Sequence, residues 1–269
     1  SYNLTNNILS YNIASTDAKS IVIDPTLNWA TYYGGSEDEW IVSVNTDTGG
    51  NVLVHGNTKS NNNLATTGAH QTTNAGGNNL YGDGFVAKFN KQGTRLWATY
   101  YGGSGTEQVT GGTVDKAGAV YCTGKTESNS GITTSGSFQS NYISGFGGNI
   151  YVIKFDNNGS RSWGTYYSHG IAGTIAYDSV SNSVMFTMGN NATNLATTNA
   201  YYNVVNSNRY IFVKFDTSGN RLYASYLPAN IKDLCFDSYG NYYIVGRKDS
   251  SDSDKQIFLD TVITAGTFK

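Results

Sequence analysis

The sequence predicts an all-β chain, a β-propeller built of four-stranded antiparallel blades. Three observations lead there: a Trp-Ala-Thr-Tyr-Tyr motif that returns along the chain, a period-two alternation of apolar and polar residues, and Asp-x-x-Gly turns in register with both. The motif occurs as Trp29-Ala30-Thr31-Tyr32-Tyr33, as Trp97-Ala98-Thr99-Tyr100-Tyr101 and as Trp163-Gly164-Thr165-Tyr166-Tyr167. A fainter copy is Tyr223-Ala224-Ser225-Tyr226-Leu227. The spacings are 68, 66 and 60 residues (97 − 29, 163 − 97, 223 − 163).

Each unit reads as four short strands. First strands fall at 40–45, 111–114, 173–177 and 234–236, and second strands at 51–55, 119–123, 183–187 and 242–245. Third strands fall at 84–89, 149–155 and 210–215, and the Trp or Tyr motif makes the fourth. Tyr, Phe, Val, Ile and Thr dominate these segments, which suits a pleated surface packed on one or both faces. The turns repeat too: Asp47 to Gly50, Asp115 to Gly118 and Asp237 to Gly240 in one hairpin, with Asp178-Ser179-Val180-Ser181 in that place in the third unit. The other hairpin has Asn90 to Gly93, Asp156 to Gly159 and Asp216 to Gly219. The Asp or Asn accepts a backbone N–H two residues on, and the Gly takes positive φ. These runs lack the alternating ligands and terminal Glu of an EF-hand loop, so calcium is not favoured and no cofactor is expected.

The ends of the chain bear on closure. Residues 1–19 read as an N-terminal segment, the tail of a preceding domain, and 20–269 as the propeller repeat domain. Segments 20–24 and 29–33 fill the third and fourth places of a blade, and 264–268 repeats the pattern of 66–70 and 134–138. The chain is thus expected to stop before its last third strand. The N-terminal pair would then complete the last of four blades and leave no open edge; the alternative is a segment of a larger propeller.

Composition narrows the function. The 269 residues carry a net charge of -2 with only 13% charged side chains, which leaves nothing to neutralise a row of phosphates, so nucleic acid is not an expected partner. No run of apolar residues is long enough for a membrane-spanning helix. Two Cys cannot make a disulfide scaffold.

Further residues carry a family resemblance. Trp29 to Gly35 with Glu37-Asp38-Glu39, Gly50-Asn51-Val52-Leu53-Val54-His55-Gly56, Thr67-Gly68-Ala69-His70-Gln71 and Asp83-Gly84-Phe85-Val86-Ala87-Lys88-Phe89 together resemble the SBBP (beta-propeller) repeat of bacterial secreted and cell-surface proteins. The resemblance covers roughly residues 20 to 269. It departs at Ser168-His169-Gly170, where the double Gly is lost, and at Pro228. It implies a secreted or cell-surface location, other domains on the same polypeptide, and a scaffolding, adhesive or binding role. It brings no catalytic residues with it.

Candidate site residues are few. His70 shares its place with Phe138, Tyr201 and Phe268, which reads as aromatic packing rather than metal ligation. Cys122 and Cys235 sit among apolar residues as small hydrophobes, with a disulfide or a His-assisted nucleophile as the alternatives. Glu37, Asp38 and Glu39 form the densest acidic cluster, and Glu107 holds a comparable place in the next unit; a solvated loop rim is expected, with cation binding as the sharper alternative. Gly102-Gly103-Ser104-Gly105 lacks the Lys and helix of a phosphate loop. Tyr81, Tyr142, Tyr201 and Tyr202, in or near the loops leading to third strands, are the expected ligand contacts, since Tyr with Asn, Gly and Ser makes adaptable binding surfaces. The expectation is a non-enzymatic module for a glycan or protein at the cell surface. A carbohydrate-active hydrolase or lyase, and a purely structural spacer, stand as alternatives.

Overall fold

Strands form where the alternation places them. The structure, a computed structural model, describes residues 2–5, 8–11, 28–77, 81–145, 147–189, 192–203, 210–227, 230–247 and 257–263. The chain divides into two units, Ser1–Ala30 and Thr31–Lys269. In the first, β1 (Tyr2–Thr5) pairs antiparallel with β2 (Ile8–Tyr11).

The second unit is a series of antiparallel meanders. The first sheet holds β3 (Glu39–Thr46), β4 (Val52–Thr58), β5 (Asp83–Phe89) and β6 (Arg95–Tyr101), in that spatial order. The second holds β7 (Glu107–Val114), β8 (Val120–Thr126), β9 (Asn149–Phe155) and β10 (Arg161–His169). The third holds β11 (Ile171–Asp178), β12 (Ser183–Gly189), β13 (Tyr210–Asp216) and β14 (Arg221–Leu227). The fourth has three strands among the described residues, β15 (Asn230–Phe236), β16 (Tyr242–Arg247) and β17 (Ile257–Ile263). The first strands adjoin in series, β3 to β7 to β11 to β15, as the inner strands of propeller-like blades do.

The turns explain the connections. Asp47 Oδ1 accepts the N–H groups of Gly49 and Asn51, both at 2.9 Å, and Asp115, Asp156, Asp216 and Asp237 repeat that bond pair. In the third unit, where the Gly is missing, Asn182 takes the left-handed conformation itself (φ 50).

Aromatic rings fill the seams between sheets. Tyr101 on β6 packs on Tyr151 (6.0 Å between centroids) and Phe155 (5.6 Å) of β9. Tyr167 on β10 repeats this against Phe215 (5.9 Å) of β13. Such pairs add about 1 kcal/mol each beyond the area they bury. The indole N–H groups of Trp97 and Trp163 donate to the next sheet's outer hairpin: Trp97 to Asn157 O at 2.9 Å, and Trp163 to Thr217 O at 3.1 Å. Gly159 and Gly219 lie under those indoles, where a Cβ would fall 2.7 and 3.1 Å from the ring.

Two expectations need correction. Trp29 to Tyr33 forms no strand. Tyr33 instead packs on Phe85 (5.8 Å) and Phe89 (5.3 Å) of β5, and its hydroxyl donates to Leu64 O at 2.9 Å, so its ring is spent on the first sheet. The chain does not stop short of its last third strand: β17 pairs with β16, because Ile257 to Ile263 is rich in Ile, Val, Phe and Thr although it lacks the Lys-Phe ending of the other copies. No hydrogen-bonded pairing joins the fourth sheet to the first among the described residues. Ile41 of β3 is accordingly 53% exposed, whereas Val109, at the same place on β7, is 3% exposed beneath the first sheet. The expected strand at 20–24 and the repeat at 264–268 lie outside the described residues.

Candidate functional site

After its second strand each of the first three sheets sends out a long loop, which returns along its own outermost strand. Thr66 N–H donates to Ala98 O and Tyr100 N–H to Gln71 O; Thr134 with Gly164 and Tyr166 with Gln139 repeat the arrangement, as do Thr197 with Ala224 and Tyr226 with Tyr202. The loop thereby occupies the edge that β6, β10 and β14 would otherwise expose.

This return creates a groove at each seam. Between the first and second sheets a groove of about 460 Å³ runs past Thr67, Gly68, Leu96, Trp97 and Asn158. Between the second and third, a groove of about 240 Å³ is lined by the equivalent residues Ser135, Gly136, Ser162, Trp163 and Ser218. Hydroxyls and the rim of an indole line both, with asparagine amides in the first; neither has a carboxyl among its lining residues. Lys88 sits at the floor of the first, almost fully buried, paired with Asp47 Oδ2 at 2.8 Å and bonded to Asn157 Oδ1.

A buried acid pair lies at the same seam. Asp83 begins β5 and Glu107 begins β7, and both are fully buried. Asp83 Oδ2 accepts from Gln71 Nε2 (2.9 Å) and Ala75 N–H (2.7 Å). Glu107 Oε1 accepts from Thr126 Oγ1 (2.6 Å) and Ser128 Oγ (2.7 Å), and Oε2 from Gly103 N–H (3.1 Å). The remaining oxygen, Asp83 Oδ1, faces Glu107 beside Gly102: a Cβ on Gly102 would fall 2.3 Å from Glu107 Oε2 and 2.6 Å from Asp83 Oδ1. Asp83 Oδ1 accepts no hydrogen bond from any N–H or O–H of the described residues, and one proton held between the two carboxyls would supply it. Burial raises both above the ordinary carboxylate range, and the charge of Asp83 raises Glu107 further; the hydrogen bonds to each oppose this without overcoming it.

This corrects the expectation of a solvated rim for Glu107. Glu37 and Asp38 are exposed as expected, with Asp38 4.0 Å from Lys59. Glu39 turns inward to Thr58 Oγ1 (2.8 Å) and Gly35 N–H (3.2 Å), the same partners in kind that hold Glu107. The three carboxyls diverge, and no three His, Cys, Asp or Glu side chains form a metal-ligand group among the described residues. The signal that was missed is the Gly-Gly-x-x-x-Glu spacing shared by Gly34 to Glu39 and Gly102 to Glu107.

The four tyrosines are dispersed over successive loops. Tyr81 meets Trp40 edge-on at 6.1 Å, and Tyr142 meets Tyr166 at 5.8 Å, so both are packed in part. Tyr201 is 61% exposed and makes an edge-on pair with Tyr202 at 4.7 Å. Only these two are brought together. His70 stands against Phe155 at 5.9 Å as Phe138 stands against Phe215 at 5.7 Å, which is the shared aromatic place.

Cys235 is exposed rather than buried, since its side of β15 meets solvent. Cys122 is buried with its Sγ 3.3 Å from His55 Nδ1. Burial pushes the thiol up to about 12 and the imidazole down to about 4, so both groups are neutral, the opposite of a thiolate–imidazolium nucleophile.

No family model matches the chain, and no curated protein matches it. Among solved structures it is similar to a protein of unknown function from Bacteroides caccae (9% identity, 86% of this chain and 62% of that one, TM-score 0.45). It is similar also to the hydrazine synthase of Kuenenia stuttgartiensis (13%, 76% and 49%, 0.42) and to the RRP9 WD40 repeats (8%, 85% and 55%, 0.42). The chain spans less than two thirds of the length of each. This chain is an all-β protein built of repeated four-stranded antiparallel sheets.

Proposed function

We propose that this chain is a non-catalytic binding and scaffolding module of a secreted or cell-surface bacterial protein, and that its seam grooves hold a polyhydroxylated polymer such as a glycan. The observation that carries this reading is the recurrence of one groove, in equivalent residues, at two successive seams. A site repeated along a chain suits a ligand that is itself a repeat, because two modest contacts on one polymer reinforce each other. The lining suits sugars: Thr67, Ser135, Asn158 and Ser162 offer hydroxyls and an amide, beside the apolar rims of Trp97, Leu96 and Trp163. A binding role is favoured over hydrolysis because the acid pair at the first seam is fully buried and three of its four oxygens accept from protein groups. The SBBP-like motifs point the same way. An open cleft of about 600 Å³ beside the inner strands presents Thr110, Ile171, Thr174, Lys232 and Asp233, with a single carboxyl.

Titration calorimetry against a panel of soluble polysaccharides, followed by amide chemical-shift mapping with any binder, tests this. Saturable binding with shifts at residues 66–69, 157–159, 134–137 and 218–219 is expected. Binding mapped to Tyr201 and Tyr202 instead, or release of shortened products, would overturn it.

A further inference from the structure

The acid pair does more than fill a seam. Around it the first and second sheets are joined by Glu107 N–H to Gly82 O (3.0 Å), by Val109 N–H to Asn57 Oδ1 (3.0 Å), and by the Asn57 amide to Glu107 O. The same pair holds the long loop of the first sheet. Gln71 bridges Asp83 Oδ2 and Gly102 N–H (3.1 Å), and Ala75 N–H ends on Asp83. That loop is the one whose residues Thr66 to Ala69 wall the first groove.

We propose that Asp83 and Glu107 form a proton-operated latch: with the shared proton in place the first two sheets and the groove-forming loop are clamped together, and its removal sets two like charges face to face and loosens the seam. The latch itself stands on the pair's geometry; its effect on the groove rests on the binding role proposed above.

The surroundings leave the proton no substitute. The groups facing the pair from packed elements are Tyr100 of β6, Tyr151 of β9 and Tyr166 of β10, all held neutral by burial, with Thr126 and Ser128 beyond β7. His55 on β4 is also neutral, and Lys125 on β8 is turned to Glu127 at the surface. Among the described residues no basic side chain hydrogen-bonds or ion-pairs with either carboxyl.

The molecule contains its own control. At the second seam Asn149 occupies the place of Asp83, and the glutamate is absent because Ser168-His169-Gly170 replaces the Gly-Gly run. The rest is retained: Gln139 reaches Asn149 Oδ1 (3.4 Å) and accepts Ser168 N–H (2.9 Å), Ile143 N–H ends on Asn149 Oδ1 (3.0 Å), and Gly170 N–H crosses to Gly148 O (3.4 Å). Where the carboxyl partner is lost, the aspartate is an asparagine, so the seam keeps its hydrogen bonds and loses its titration.

Amide hydrogen exchange on the full chain between pH 6 and 9, with rates corrected for intrinsic exchange, tests the latch without any ligand. Protection of the Glu107 and Val109 amides is expected to fall by roughly tenfold for each pKa unit by which the seam favours the protonated pair. The Gly170 amide should change less than about twofold. Asp83→Asn removes the facing charge and should flatten the profile at Glu107 and Val109. Should that variant fail to fold, Glu107→Gln, which donates to Asp83 without a titrating proton, should do the same. Flat protection in the unmodified chain, or an unchanged pH profile in the variants, would refute the latch. Absence of glycan binding would bear on the groove alone.

Discussion

At the first seam Asp83 and Glu107 meet beside Gly102, while at the second Asn149 and Ser168 occupy the matching places and no glutamate arrives. The apolar parts of the two seams are closely alike. Each has a motif Tyr on the next sheet's aromatic strand, a Trp N–H on the next hairpin's carbonyl, and a glutamine tying the long loop to the chain after the fourth strand. The contrast separates two jobs that a single seam would confound. Rings and backbone bonds suffice to stack one sheet on another; the acid pair is an addition, and it makes the seam depend on pH.

Substitutions can break that contrast or sharpen it. The largest effect is expected for the Trp latch: Trp97→Ala and Trp163→Ala should each cost about 3 to 5 kcal/mol by denaturant unfolding, through the cavity left and the lost N–H bond. Equal costs would confirm that the seams share their packing; a cost below about 1 kcal/mol at either would show that they do not. Next comes the buried cation. Lys88→Met takes the cation from Asp47 and leaves that carboxylate with only the N–H bonds of Gly49 and Asn51, at about 3 kcal/mol. Lys154→Met, at the half-buried equivalent that bonds Thr217 O (2.9 Å) and lies over Tyr121, should cost nearer about 1 kcal/mol. Gly102→Ser places a side chain where both carboxyls lie, for about 1 to 3 kcal/mol. The second seam carries Ser168 there, so the same change combined with Asp83→Asn and Glu107→Gly should recover part of the loss.

The smallest effect is on the pH dependence of global stability. Both carboxyls are raised on folding, so the folded state holds more protons than the unfolded one through the interval between their ordinary and folded values. Stability from this source is complete below about pH 4 and declines as pH rises toward about 8, where Glu107 gives up its proton. Thermal melts across that range should show stability falling by up to about 1.4 kcal/mol per pH unit for each extra proton held, a slope that Asp83→Asn reduces. A rise with pH that Asp83→Asn leaves unchanged would contradict it.

Much of this fold was legible in the sequence. The Trp97, Trp163 and Tyr223 copies of the motif marked the outer strands of the first three sheets, and the Asp-x-x-Gly runs marked the hairpins, because both depend on local geometry that residue type dictates. The role of Tyr33 was not legible: its motif matches a strand, but a strand needs a partner edge, and the ring found Phe85 and Phe89 instead. The third strand β17 was missed because Ile257 to Ile263 carries none of the Lys-Phe signature. Of the candidate site, the tyrosines were legible as loop residues. The acid pair was not, since Asp83 and Glu107 stand far apart in sequence and meet only when two sheets stack. The room for them comes from Gly102, whose missing side chain reads in sequence as a mere turn. The clue lay in comparing the copies, where the double Gly, the glutamate and the aspartate are lost together.

The loops that return along β6, β10 and β14 have a further consequence. Each is pinned at two points on its own outer strand, by Thr66 and Gln71, Thr134 and Gln139, or Thr197 and Tyr202. The chain between the second pin and the third strand differs in length and composition among the three sheets. A strand already sheathed by its own loop offers no free ladder to a second copy, so chains of this kind can be crowded together without β6, β10 or β14 zipping edge to edge.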